Sequence, residues 1–161
     1  MTVIILSLLI GIVAGLRTMT APAAVAIGAR YGSIAVASTP LAFMGYTWTP
    51  WILCVLAVGE LITDQLPTTP SRKVPVQFAA RILTGALAGA TLAAPQDSLV
   101  AGLIAGIIGA VIGTLGGAAF RARLAAAFGK DRPAALIEDA VAIGAAALIV
   151  LAGHGIVPLN S

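Results

Sequence analysis

Gly59-Glu-Leu-Ile-Thr-Asp-Gln-Leu-Pro-Thr-Thr-Pro-Ser-Arg-Lys-Val-Pro75 is the stretch from which the fold is read. An apolar run acquires two acids, breaks at prolines, passes two bases and turns apolar again, as two membrane helices joined at the cytoplasmic face would. Glu60 and Asp64 are four apart and share one helix face, and Glu60 falls inside the apolar run rather than beyond it. An ionisable group at that depth is costly to bury and marks a functional-site hypothesis.

Composition agrees with this reading. Hydrophobic residues make up 60% of the 161 and charged residues 9%, with a mean hydropathy of +1.06; globular domains carry about 25% charged residues. The chain has room for five or six spans of about twenty residues and no soluble domain; the sequence is read as five. The net charge of +3 comes from bases concentrated in two short loops, which is a topology signal rather than a nucleic-acid footprint. Cys54 is the single cysteine, so neither an internal disulfide nor a cysteine metal cluster can form. No base precedes Arg17, so the amino terminus lacks the basic region of a secretory signal and is expected to remain as the first span.

Val3 to Leu16 is almost wholly apolar, with Gly11 and Gly15 as a small-xxx-small pair. Arg17-Thr-Met-Thr-Ala-Pro22 then interrupts it before a second apolar run to Ala29. Fourteen residues reach only about 21 Å of a roughly 30 Å core, so Val3 to Arg30 reads as one discontinuous span broken at Arg17. A tilted helix kinked near Pro22 is the alternative. Residues 31–49, with Tyr46 and Trp48, and Trp51 just beyond, read as an outer interfacial loop. Further spans are expected over Pro50 to Leu66, Val74 to Ala94, from Ser98 onward, and over Pro133 to Ala152, with a tight turn at Pro95-Gln-Asp97. The whole is a single all-α transmembrane domain, 1–161.

Gly102, Gly106, Gly109, Gly113 and Gly116 recur at alternating spacings of four and three, making one nearly smooth helix face for a packing seam within the subunit or between copies. Five spans put Arg72, Lys73, Arg121, Arg123, Lys130 and Arg132 on the side of the amino terminus, and Arg30, Asp97 and His154 on the other. The expectation is a cytoplasmic amino terminus and an outer carboxyl terminus. Gly11–Arg30 can also be laid against Gly109–Phe128, so that 3–66 and 98–152 would be inverted repeats about a linker helix 74–94.

Counted from the expected span ends, Glu60, Arg81, Glu138 and Asp139 lie roughly 8 to 10 Å inside one boundary. Asp64 sits nearer the surface and Arg17 deeper. Three inner acids against one inner base point to a site for a cation or proton, with Glu60, Glu138 and Asp139 as ligands or carriers, Arg81 as counter-charge, and Asp64 and Arg17 at its margins. Carboxylates suit protons and hard cations. The alternative is that these charges pair to fix helix register. The sequence has no hydrolase or metalloprotease motif, and no enzyme activity is expected.

Gly15-Leu-Arg17, Glu60-Leu-Ile-Thr-Asp-Gln-Leu-Pro67, Arg81 before Gly85-Ala, and Glu138-Asp139-Ala-Val-Ala resemble, in order and spacing, a family of small bacterial multi-span inner-membrane proteins catalogued as a domain of unknown function. Where that family carries Lys between the Asp and the Pro, this chain has Gln65. The resemblance implies placement in a bacterial inner membrane, with Arg17, Glu60, Asp64, Pro67, Arg81, Glu138 and Asp139 as motif residues, and supplies no activity.

The expectation is therefore a small transporter or channel, homodimeric or otherwise homo-oligomeric in the lipid bilayer, handling a cation or a proton-coupled solute. It needs no cofactor beyond a bound cation and has no nucleic-acid partner. A non-transporting scaffold, and a lipid-headgroup protein using Arg72, Lys73, Arg121 and Arg123, are the rival readings.

Overall fold

The computed structural model describes residues 1–64, 74–129 and 131–154, and all regular elements among them are helical. They are α1 (Thr2–Leu16), α2 (Thr20–Arg30), α3 (Thr49–Thr63), α4 (Pro75–Ala93), α5 (Leu99–Phe128) and α6 (Asp131–His154). Three of them, over Pro75–Gln96, Leu99–Phe128 and Asp131–Gly153, are long and apolar enough to cross a membrane; α1 and α3 are apolar but shorter. The span expected from Ser98 onward is α5, which runs unbroken until Gly129 takes a positive φ of 66° and ends it. The expected second span closes at Thr63 among the described residues; Leu66, Pro67, Arg72, Lys73 and Lys130 lie outside them.

Glycine determines how the centre packs. A Cβ on Gly106 would strike the carbonyl oxygen of Gly85, one on Gly109 that of Leu8, and one on Gly113 that of Ile12. Gly11 and Gly15 of α1, and Gly85 and Gly89 of α4, are equally tight against α5. Three backbones therefore meet with no side chain between them, and Ser7 Oγ donates to the Gly89 carbonyl oxygen at 2.9 Å to join α1 to α4. The seam is internal to the chain at Gly102, Gly106, Gly109 and Gly113; Gly116 alone of the five faces open space.

These contacts also set direction. Gly11 meets Gly106 and Gly15 meets Gly113, so α1 and α5 run the same way, whereas Gly85 with Gly106 and Gly89 with Gly102 make α4 antiparallel to α5. The two segments expected to form an inverted repeat thus contain parallel helices, the reverse of what inversion requires.

The first span is corrected too. Val3 and Leu6 share a small cavity with Ser33, Ile34, Gln96 and Gly153, so the start of α1, the segment after α2 and the end of α6 lie together at one end of the bundle. The chain is broken at Arg17, as expected, but α2 turns back instead of continuing across. α1 and α2 form a helical hairpin with its tip at Arg17-Thr18-Met19, and the two terminal helices end on the same side rather than on opposite sides. The segment after α2 folds onto this end, burying Ile34, Val36 and Met44 in the core while Tyr46, Trp48 and Trp51 stay exposed. The expected turn is present, with Asp97 in the left-handed region at φ 52°.

Replacing Gly109 by Leu should lower the melting temperature of the detergent-solubilised protein strongly, since overpacking costs about 1–3 kcal/mol even where side chains can yield and here the obstacle is backbone. Gly116→Ala, at an open position, should be neutral or slightly stabilising.

Candidate functional site

The hairpin tip creates a chemical problem that the charged residues solve. A helix that stops leaves carbonyls at its end, and one that starts leaves amides at its beginning; in an apolar interior such groups must find partners. Arg17 leaves the helix in an extended conformation, φ −137° and ψ 115°, and only its own N–H remains bonded backward, to Val13.

Arg81, two turns into α4, closes the end of α1. Its Nη1 donates to the carbonyl oxygens of Gly15 and Leu16, both at 2.9 Å. Glu60, on α3, closes the start of α2: one carboxylate oxygen accepts from the Thr18 N–H and the other from the Met19 N–H, both at 2.7 Å. Each charge also has the sign that its helix end favours, cation at the carboxyl end and anion at the amino end. Glu60 and Arg81 face each other across the tip at 3.8 Å.

Arg17 itself is fully buried and stands among acids from two other helices. It donates to Asp64 at the end of α3, forms an ion pair with Asp139 of α6, and lies 3.9 Å from Glu138. Among the described residues the Arg17 Nε has no hydrogen-bond partner, while Oδ1 of Asp139 is held by Arg17 Nη2 in a close ion pair. All six expected site residues, Arg17, Glu60, Asp64, Arg81, Glu138 and Asp139, are therefore brought together. Arg17 is not deeper than the others: because the chain reverses at the tip, it lies within their layer and at its centre. Asp64, expected nearer the surface, reaches into the same layer.

Two participants were not anticipated as members of this layer. Arg121, read as a loop base, lies on α5 and holds Asp131 through Nε at 3.0 Å and Nη2 at 2.5 Å, while its Nη1 stands 3.6 Å from Glu138. The turn at Gly129 is what brings Arg121 and Asp131 face to face across antiparallel α5 and α6, and a glycine after a long apolar helix was the available signal. Every acid of the chain except Asp97 is thus paired with an arginine: Asp64, Asp139 and Glu138 with Arg17, Glu138 and Asp131 with Arg121, and Glu60 with Arg81. The acids surround the guanidiniums rather than converging on a point, and no group of three metal-ligating side chains is found among the described residues.

Comparison of the chain with protein-family models, with curated proteins and with solved structures gave no significant match.

Removing one partner of a buried ion pair costs about 3–5 kcal/mol because the other charge is left uncompensated. Asp139→Asn and Arg17→Met should each lower thermal stability, and the double variant should lose clearly less than the sum of the two, a coupling of about 0.5–3 kcal/mol in a double-mutant cycle. Strict additivity would show that the two side chains do not interact.

Proposed function

We propose that this protein is a small transporter or channel of the bacterial inner membrane in which a proton, exchanged at the Arg17–Asp139–Glu138 cluster, governs passage of a solute. The observation that carries the reading is the buried hairpin tip, whose two helix ends are satisfied by charged side chains of α3 and α4 and whose Arg17 is shared among carboxylates of α3 and α6. Interrupted helices with ions at their ends are a recurrent way to build transport sites within a bilayer. Protonating Asp139 removes an ion-pair partner of Arg17 and shifts that guanidinium toward Asp64, so one proton changes the attachment of the tip to α6. The dispersion of the acids favours a proton over a coordinated metal ion.

The membrane placement belongs to the same proposal. Six traverses, the first two made by the α1–α2 hairpin, put the connection after α3 and the Arg121 end of α5 at the cytoplasmic face, where bases collect, and both termini outside. This replaces five crossings with a cytoplasmic amino terminus.

A second reading, a non-transporting scaffold, draws on the fact that Glu60 and Arg81 already have complete architectural duties as caps. The lipid-headgroup reading loses one of its bases, since Arg121 is engaged by Asp131 and Glu138.

Two measurements test the proposal. Tags at the two termini should both be accessible from outside intact spheroplasts; a protected amino-terminal tag would overturn the topology. Reconstituted protein should conduct protons down an imposed pH gradient, with Asp139→Asn reducing the flux at least tenfold and Glu138→Gln reducing it less. Equal flux in a folded Asp139→Asn variant removes the proton site. No flux in the wild type, with a partner protein that co-purifies in fixed ratio, favours the scaffold.

A further inference from the structure

α5 is longer than a membrane crossing needs. Its beginning lies at the end of the bundle that holds Val3 and Gly153, since Pro95 and Gln96 just before it line the same small cavity, and it then runs 30 residues to Phe128. In the membrane placement proposed above, about twenty residues from Leu99 cross a roughly 30 Å core, so Ala119 to Phe128 continue past its cytoplasmic edge. Arg123 then stands about 7.5 Å beyond that edge, within a headgroup layer about 5–8 Å deep.

The surface at that depth is cationic and apolar together. Phe120, Arg123, Leu124 and Ala127 stand at i, i+3, i+4 and i+7 and share one side of α5, with Phe120, Arg123 and Ala127 exposed. Arg121 turns instead to α6, where Asp131 takes its Nε and Nη2. Asp131 is the one acid between residues 118 and 132, and Arg121 answers its charge. Arg123 and Arg132 are both exposed, and neither forms an ion pair among the described residues.

We propose that this end of the α5–α6 hairpin binds anionic phospholipid headgroups, with Arg123 and Arg132 on the phosphates and Phe120 and Leu124 against the first acyl carbons. Charge complementarity favours this occupant. Two exposed cations beside apolar side chains match a negative head on a hydrocarbon tail, and an arginine stem can lie along apolar surface while its charge stays at the phosphate. A zwitterionic head would set its own cation against the arginines, and a soluble acidic partner would gain nothing from the apolar side chains. The site rests on the membrane placement proposed above and not on the proton cycle.

The test is equilibrium binding of a fluorescent phosphatidylglycerol to the whole protein in non-ionic detergent micelles, with unlabelled lipids as competitors. Each basic residue near an anionic surface contributes about fivefold, so phosphatidylglycerol should compete at least about fivefold better than phosphatidylcholine of the same acyl chains, and less well as salt is raised. Arg123→Gln combined with Arg132→Gln, both at exposed positions, should weaken binding at least about fivefold; Arg123→Lys should keep most of it, and Arg30→Gln, a base outside this end, should leave it unchanged. Equal competition by the two lipids, or full binding in the folded double variant, overturns the proposal. Soluble polyglutamate competing as well as phosphatidylglycerol also overturns it, by marking this end as a dock for an acidic protein. Micelles have no sides, so selective binding lost in the double variant, together with a protected amino-terminal tag, would remove the placement and keep the site. Accessible tags without lipid selectivity would do the opposite.

Discussion

The structure depends on satisfying two opposed helix ends inside an apolar bundle. Once the chain reverses at Arg17, the last carbonyls of α1 and the first amides of α2 face an interior with little water, where each unpaired group costs several kcal/mol. Neither helix supplies a cap of its own: no side-chain cap is found at the start of α2. The partners come instead from α3 and α4, through Glu60 and Arg81, residues more than forty positions away in sequence. The tertiary arrangement and the secondary structure of the hairpin therefore form together or not at all.

Those two caps explain why charge is present in this layer, but not why there is so much of it. Arg81 and Glu60 would suffice to close the tip. Arg17, Asp64, Asp139, Glu138, Arg121 and Asp131 extend the network across to α5 and α6, and burying ion pairs beyond architectural need is usually neutral or unfavourable for stability compared with apolar packing. The extension joins the tip to the α5–α6 hairpin by contacts whose strength depends on protonation. The glycine seam has no such dependence.

Much of this was legible in the sequence because apolar length, glycine spacing and buried charge are local signals. The break at Arg17, the glycine face of α5 and the layer of Glu60, Arg81, Glu138 and Asp139 could each be read from residue type and position. Direction could not. A stretch of charge and proline after fourteen apolar residues looks the same whether the next helix continues or turns back, and the difference is decided by which face α2 can bury against α3 and α6. From that one ambiguity followed the misplaced depth of Arg17. Backbone groups were equally silent: nothing in the letters at positions 15, 16, 18 and 19 says that their carbonyls and amides need Arg81 and Glu60. Arg121 was hidden for a different reason, since bases near helix ends ordinarily mark topology, and only the turn at Gly129 aims this one at Asp131.

The two kinds of contact divide the bundle into unequal parts. α1, α4 and α5 are joined backbone to backbone, where even one added Cβ would meet a carbonyl oxygen. α3 is different. It packs chiefly on α2, Pro50 is its only fully buried residue, and Trp51, Val55 and Ile62 are exposed along it. Its firm attachments to the hairpin tip are polar: Glu60 to the amides of α2 and Asp64 to Arg17. In the proposed mechanism the glycine-sealed trio would accordingly be the frame and α3 the element held mainly by polar contacts. Arg17 is the joint, because it alone bonds α3 through Asp64 while pairing with α6 through Asp139. In the proposed mechanism a proton arriving at Asp139 would change how that joint divides its charge between α3 and α6.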